Sequence, residues 1–198
     1  MTAEPIAVLV SGGGRSLENL AECIARGELD ARIALVLADR PGTGAFERAE
    51  RLGLSTHLVD RRAFDGAAAF SRAVFGALDA SGARLACLAG FLRLLRIPPA
   101  WSGRVINIHP SLLPAYGGKG FYGHHVHEAV LAAGEKESGC TVHFVDDQFD
   151  HGEPILQRRV PVLPGDTAET LAARVFEEEK RALPEAIRLV LAGEATLG

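Results

Sequence analysis

Between residues 6 and 89, four short apolar runs alternate with segments whose apolar residues recur at helical spacing, and few architectures accommodate that alternation. Residues 6–10, 33–37, 56–59 and 85–89 read as strands. The first, Ile6-Ala7-Val8-Leu9-Val10, is apolar on both faces, as a strand inside a parallel sheet must be. Leu17, Leu20, Ala21 and Ile24 mark a helix that Gly27 closes, supported by Glu22 and Arg26 one turn apart. Residues 45–52, ahead of Gly53, and 65–80, ahead of Gly82, read as two more helices. Such a chain builds a doubly wound α/β fold: a Rossmann-like domain with a mostly parallel sheet, right-handed crossovers and helices on both faces. The 198 residues contain no long polar or Pro/Ser-rich linker and no internal repeat, so one domain over residues 1–198 is expected. Its halves would be a Rossmann-like portion to about residue 100 and a second portion from about 101.

Composition excludes several function classes. A chain 47% hydrophobic and 23% charged is ordinary for a water-soluble globular protein, and a net charge of −4 supplies no basic field for nucleic acid. The longest apolar runs are strand-sized, and residues 1–5 show no basic region followed by an apolar one. Neither a leader nor a membrane span is expected, and cytoplasm is the default. Cys23, Cys87 and Cys140 lie far apart with no Cys-x-x-Cys, which suits a reducing compartment and offers neither a disulfide framework nor a zinc knuckle.

The first strand opens into Ser11-Gly12-Gly13-Gly14-Arg15-Ser16. A glycine loop between a strand and a helix N-terminus gathers unpaired N–H groups and the positive end of the helix dipole, which suits a phosphate. Leu17 stands where a dinucleotide fingerprint needs its third glycine, and no Gly-Lys-Ser/Thr follows. A sugar phosphate on Gly12, Gly13, Gly14, Arg15 and Ser16 is the expectation, with a plain tight turn as the alternative.

Val105-Ile106-Asn107-Ile108-His109-Pro110-Ser111-Leu112-Leu113-Pro114 combines a strand with two polar side chains at its end. Alternation puts Asn107 and His109 on one face and Ile106 and Ile108 on the other, and Pro110 ends the strand at His109. Strand carboxyl ends are where ligands bind in open α/β sheets. An amide donor beside an imidazole suits attack on a carbonyl carbon, although a hydrogen-bonded histidine at a strand end reads equally well.

Residues 90–96 leave the fourth strand at the same sheet edge and read as a partly buried helical turn with solvated arginines. Residues 115–123, rich in glycine and aromatics, read as a mobile surface loop. His124, His125 and His127 precede a helix ending near Gly134, and no Cys or carboxylate completes a metal spacing. Residues 141–145 alternate polar and apolar, as a strand with one buried face does; a turn with Asp150 and a last strand over 154–162 follow. A helix over 167–182 has Thr167 as N-cap and an acidic, solvated face; Pro184 ends or kinks it, and a final helix runs to Ala192.

Asn107-Ile108-His109-Pro110-Ser111-Leu112-Leu113-Pro114, with Asp150 in Phe149-Asp150-His151-Gly152-Glu153-Pro154-Ile155-Leu156-Gln157, resembles the signature of the folate-dependent formyltransferases, and the likeness runs from Ile6 to about Gly193. The resemblance implies the formyltransferase fold and transfer of a formyl group from the co-substrate 10-formyltetrahydrofolate to the amino group of 5′-phosphoribosylglycinamide, without a metal. It implies catalysis by Asn107, His109 and Asp150, the carboxylate favouring the imidazolium. It also implies a ribotide contact at Glu179 and a folate pocket along Leu92, Arg93, Leu94 and Leu95, partly through backbone groups, beside Asn107. Partners would be small molecules, with no nucleic acid or membrane, and the chain a monomer or homodimer.

Three positions depart from the family pattern: Arg15 in the phosphate loop, Phe176 where some members have a lysine, and Ala67 where many have an arginine. Alternatives within the resemblance are transfer to another amino-sugar phosphate and hydrolysis of the formylfolate. The family's deformylases carry an N-terminal regulatory domain for which residues 1–5 leave no room. Its methionyl-tRNA formyltransferases add a C-terminal tRNA-binding domain, whereas this acidic chain stops at Gly198. A non-enzymatic sugar-phosphate binding module would not need the three polar residues.

Overall fold

The computed structural model describes residues 3–198. Its first half comprises β1 (Glu4–Val10), α1 (Arg15–Ala25), β2 (Ala31–Ala38), α2 (Gly44–Arg51), β3 (Thr56–Leu58), α3 (Gly66–Ser81) and β4 (Leu85–Leu88). The second half adds β5 (Val105–His109), α4 (His124–Ala132), β6 (Glu137–Phe144), β7 (Pro154–Pro161) and α5 (Ala168–Leu191). All seven strands form one sheet in the order β3-β2-β1-β4-β5-β6-β7. The first five are parallel, and β6 and β7 run antiparallel to their neighbours.

Alternation along β1 divides the core. Ile6, Val8 and Val10 join Leu17 and Leu20 of α1 and Leu171, Val175 and Ile187 of α5 on one face. Ala7 and Leu9 join Phe70, Val74 and Leu78 of α3 and Trp101 on the other. The chain builds outward from β1 to β3, then returns to place β4 on the opposite side of β1. At that reversal the connections leaving β1 and β4 part to opposite faces and open a crevice at the strands' carboxyl ends.

Four expectations are corrected. The polar alternation in β6 does not mark an exposed face, because Ser138 through Phe144 are all buried. Thr141 is consumed internally: it donates to the Ser111 carbonyl at 2.7 Å and accepts from Leu113 N–H at 3.0 Å. Pro184 does not end the last helix, which runs unbroken from Ala168 to Leu191. A proline there cannot donate to the carbonyl four residues back, and Asn19 Nδ2 of α1 donates to that Lys180 carbonyl instead, at 2.9 Å. Residues 90–96 form no helical turn, and Arg93 is not merely solvated, since it pairs with the fully buried Asp39. The three histidines do not precede α4 but lie in its opening turns.

Candidate active site

The segment that leaves β5 is held by two side chains. Thr141 grips Ser111 and Leu113, and Gln157 Nε2 on β7 donates to the Leu113 carbonyl at 2.9 Å. Asn107 and His109 therefore leave a fixed strand end, as alternation and Pro110 require, with His109 only 4% exposed. Asn107 pairs across the antiparallel ladder with His143. The His143 Nδ1 lies 2.7 Å from the Phe144 carbonyl, so that nitrogen carries the proton and Nε2 is a bare acceptor. Asn107 Nδ2 donates to it at 3.0 Å, and its other N–H reaches Asp150 Oδ1 at 3.2 Å. With both neighbours accepting, the amide has one satisfactory orientation, its oxygen turned away from His143 and Asp150.

Asp150 sits on the turn between β6 and β7. Gly152 keeps that turn against the sheet, since a Cβ there would lie 1.9 Å from the Phe144 carbonyl oxygen. Asp150 Oδ2 accepts Gly118 N–H at 2.9 Å, and Oδ1 lies 3.4 Å from His109 Nδ1 and 3.8 Å from His143 Nε2. Burial by itself would raise this carboxyl; the neighbouring His109, with its charge, and the Gly118 N–H together hold it well below the usual carboxylate range. The other nitrogen of His109 lies 2.8 Å from the Tyr116 carbonyl. His109 is thus flanked by two acceptors, an arrangement that a doubly protonated ring satisfies at both ends. Among the described residues, the two non-glycine residues with positive φ are Tyr116 (55°) and Asp150 (52°), the pair that brackets His109. Backbone strain of about 1–3 kcal/mol per residue is thereby concentrated here.

Two adjoining cavities meet at this strand end. The larger, about 640 Å³, is lined by Asn107, His109 and Asp150, by Leu92, Arg93 and Leu94, and by Phe121, Tyr122 and Phe149. Arg40 and Arg61 add positive charge, and Ala67 forms part of the wall. Leu95 is not on that wall, being 1% exposed and packed in the core on the α3 side. The smaller cavity, about 460 Å³, is lined by Gly12, Gly13, Gly14, Arg15 and Ser16 together with His127, Phe176 and Glu179. Gly14 is the N-cap of α1, left-handed at φ 77°, with no side chain capping the helix. A Cβ there would meet Ala45 at 2.8 Å, so only glycine lets the loop lie on α2 and leave the first helical N–H groups for a ligand. Burial, offset in part by Arg15 and His109, pushes the Glu179 carboxyl up to about 7. Sequence reasoning missed His143, whose signal was its place in the polar alternation of β6; it named His127 among the three histidines weighed for a metal but not as part of this cavity, where its buried Nδ1 has no partner.

Among the described residues no group of three His, Cys, Asp or Glu side chains is arranged to hold a metal ion. A family model described as Formyl transferase matches residues 4–187. The trifunctional purine biosynthetic protein adenosine-3 of Gallus gallus is 42% identical over 195 residues, which are 98% of this chain and 19% of that protein. The chain thus spans about a fifth of such trifunctional relatives. Phosphoribosylglycinamide formyltransferase of Escherichia coli (strain K12) is 36% identical over 183 residues, 90% of this chain and 83% of that one. Among solved structures, glycinamide ribonucleotide transformylase 1 from Symbiobacterium toebii superposes with a TM-score of 0.90 at 42% identity, covering 97% of this chain and 89% of the other.

Proposed function

Because the chain belongs to the formyl transferase family, we propose that it moves the formyl group of 10-formyltetrahydrofolate onto the primary amine of 5′-phosphoribosylglycinamide. The observation that carries this reading is the position of Asn107, His109 and Asp150 in the wall of an apolar, cation-rimmed cavity that adjoins a second cavity built on a glycine loop. The first suits a flat heterocycle with an acidic tail, held along Leu92, Arg93 and Leu94. The second suits a sugar phosphate, held by the loop from Gly12 to Ser16 and by Glu179.

In the reaction the amine nitrogen attacks the formyl carbon, and the bond to the folate nitrogen then breaks. Between those events the formyl oxygen carries negative charge. Asn107 meets that charge by exchanging its 3.2 Å bond to Asp150 for one to the oxyanion, while its 3.0 Å bond to His143 keeps the amide in place. His109, as the imidazolium, gives its proton to the departing folate nitrogen and, once neutral, takes up the proton of the attacking amine. For this its nitrogen at the Tyr116 carbonyl must be released, a small displacement of the glycine-rich segment that follows Pro114. Asp150 stays ionised and stabilises the imidazolium. The formyl group arrives already activated on its carrier, so these residues supply position and charge rather than redox or Lewis-acid chemistry.

Cys23, Cys87 and Cys140 are buried and unpaired, which fits a reducing cytoplasm, and the reading takes the chain there as a monomer or homodimer acting on small molecules. The test is incubation with 10-formyltetrahydrofolate, with and without the ribotide. Formate-free transfer that requires the ribotide is expected. Equal loss of the formyl group without the ribotide would instead make the protein a hydrolase, and no turnover in either arm would overturn the reading.

A further inference from the structure

Two of the three departures from the family pattern touch each other. Arg15, the first residue of α1, has its guanidinium carbon 4.2 Å from the ring centroid of Phe176 on α5. Among the described residues the Arg15 guanidinium makes no hydrogen bond and no ion pair, so stacking occupies one of its faces and leaves its edge donors unfilled. The other cation near that ring, Lys180, lies 5.9 Å from the centroid and is already paired with Glu177 at 2.6 Å.

Both partners line the smaller cavity, and so does His127, 4% exposed with its Nδ1 unpaired. Ala172, Phe176 and Glu179 fall on one face of α5 at helical spacing and form the wall opposite the glycine loop. A carboxylate in place of Phe176 would hold the guanidinium but cancel its charge. An aromatic ring orders the arm and leaves the charge available to a ligand.

We propose that Phe176 is a positioning residue whose ring pre-orders the Arg15 guanidinium for a phosphomonoester at the α1 N-terminus, making the two residues one phosphate-recognition unit. This rests on the ribotide reading of the cleft. Holding the arm before binding removes the entropy cost of ordering a long, rotamer-rich side chain when the phosphate arrives. The phosphate oxygens then receive the guanidinium edge in addition to backbone N–H groups.

Direct titration of ribose 5-phosphate by calorimetry tests the unit without relying on turnover. Phe176→Leu, which keeps apolar bulk and removes the ring, is expected to weaken binding about two- to tenfold. Phe176→Tyr, which keeps the ring face, should bind as the parent does. In an Arg15→Ala background Phe176→Leu should cause no further loss; with Arg15 present, Phe176→Leu should raise KM for the ribotide while leaving kcat and the KM for the folate unchanged. A Phe176→Leu loss of equal size with Arg15 already removed, or a failure of Phe176→Tyr to restore binding, would overturn the role of Phe176 and leave the ribotide reading intact. A parent protein that binds no ribose 5-phosphate would overturn both.

Discussion

Replacing Glu179 by glutamine should make the protein more stable at pH 8 but not at pH 4.5. Burial beside the smaller cavity raises this carboxyl from an ordinary 4.5 to about 7, with Arg15 and His109 opposing only in part. Between those two values the folded protein keeps a proton that the unfolded chain has released. Stability from this group is therefore full below about pH 4.5 and is lost as pH rises through 7. At about 1.36 kcal/mol per pH unit the loss has a ceiling of about 3 kcal/mol, less whatever water entering the cleft returns. His127 works in the opposite sense: burial, with the charges of His124 and His109, lowers it to about 4, so the unfolded chain binds the extra proton and stability rises over pH 4 to 6.5. The two slopes offset one another in the parent, and only the difference between parent and variant isolates Glu179. Urea unfolding of both proteins at pH 4.5 and 8 supplies it. A parent-minus-variant difference that stays constant between the two pH values would refute the assignment of a half-buried, proton-holding carboxyl to Glu179.

Three further outcomes are expected. Asn107→Ala, His109→Ala and Asp150→Asn should each lower kcat and kcat/KM together by about a hundredfold or more, with binding of both substrates by titration nearly unchanged; a near-parental kcat in any of them removes that residue from the chemistry. Gly152→Ala puts a methyl 1.9 Å from the Phe144 carbonyl oxygen, so it should cost about 1–3 kcal/mol by denaturant unfolding and depress kcat by displacing Asp150, whereas a parental melting curve would contradict the close approach. Asn19→Ala should destabilise by about 1 kcal/mol because the Lys180 carbonyl loses its donor. Restoring a backbone N–H with Pro184→Ala should shrink that cost, and strict additivity in the double variant would show that the bond does not substitute for the helix's own.

Local signals carried much of this protein into view. The strands and helices up to β4 follow from apolar runs, glycine stops and helical spacing, because each reports an interaction within a few residues of itself. Asn107 and His109 were legible for the same reason: strand alternation and an exit proline determine where a side chain points before any partner is known. Family likeness, rather than periodicity, supplied Asp150. What the sequence could not express were relations set by packing. Thr141 and His143 look like the wet face of a strand, yet β6 is inserted between β5 and β7, and these two side chains saturate groups that hold the site. Which residue faces Asn107 depends on the register of an antiparallel pair whose members lie 36 residues apart, a long-range choice invisible in either strand alone. Pro184 reads as a helix stop until Asn19, far away on α1, supplies the missing hydrogen bond. Arg15 and Phe176 likewise look like unrelated departures until α1 and α5 bring them into contact. A sequence determines backbone preference and polarity locally; which polar groups are left without a partner, and what they await, is decided only when distant elements dock.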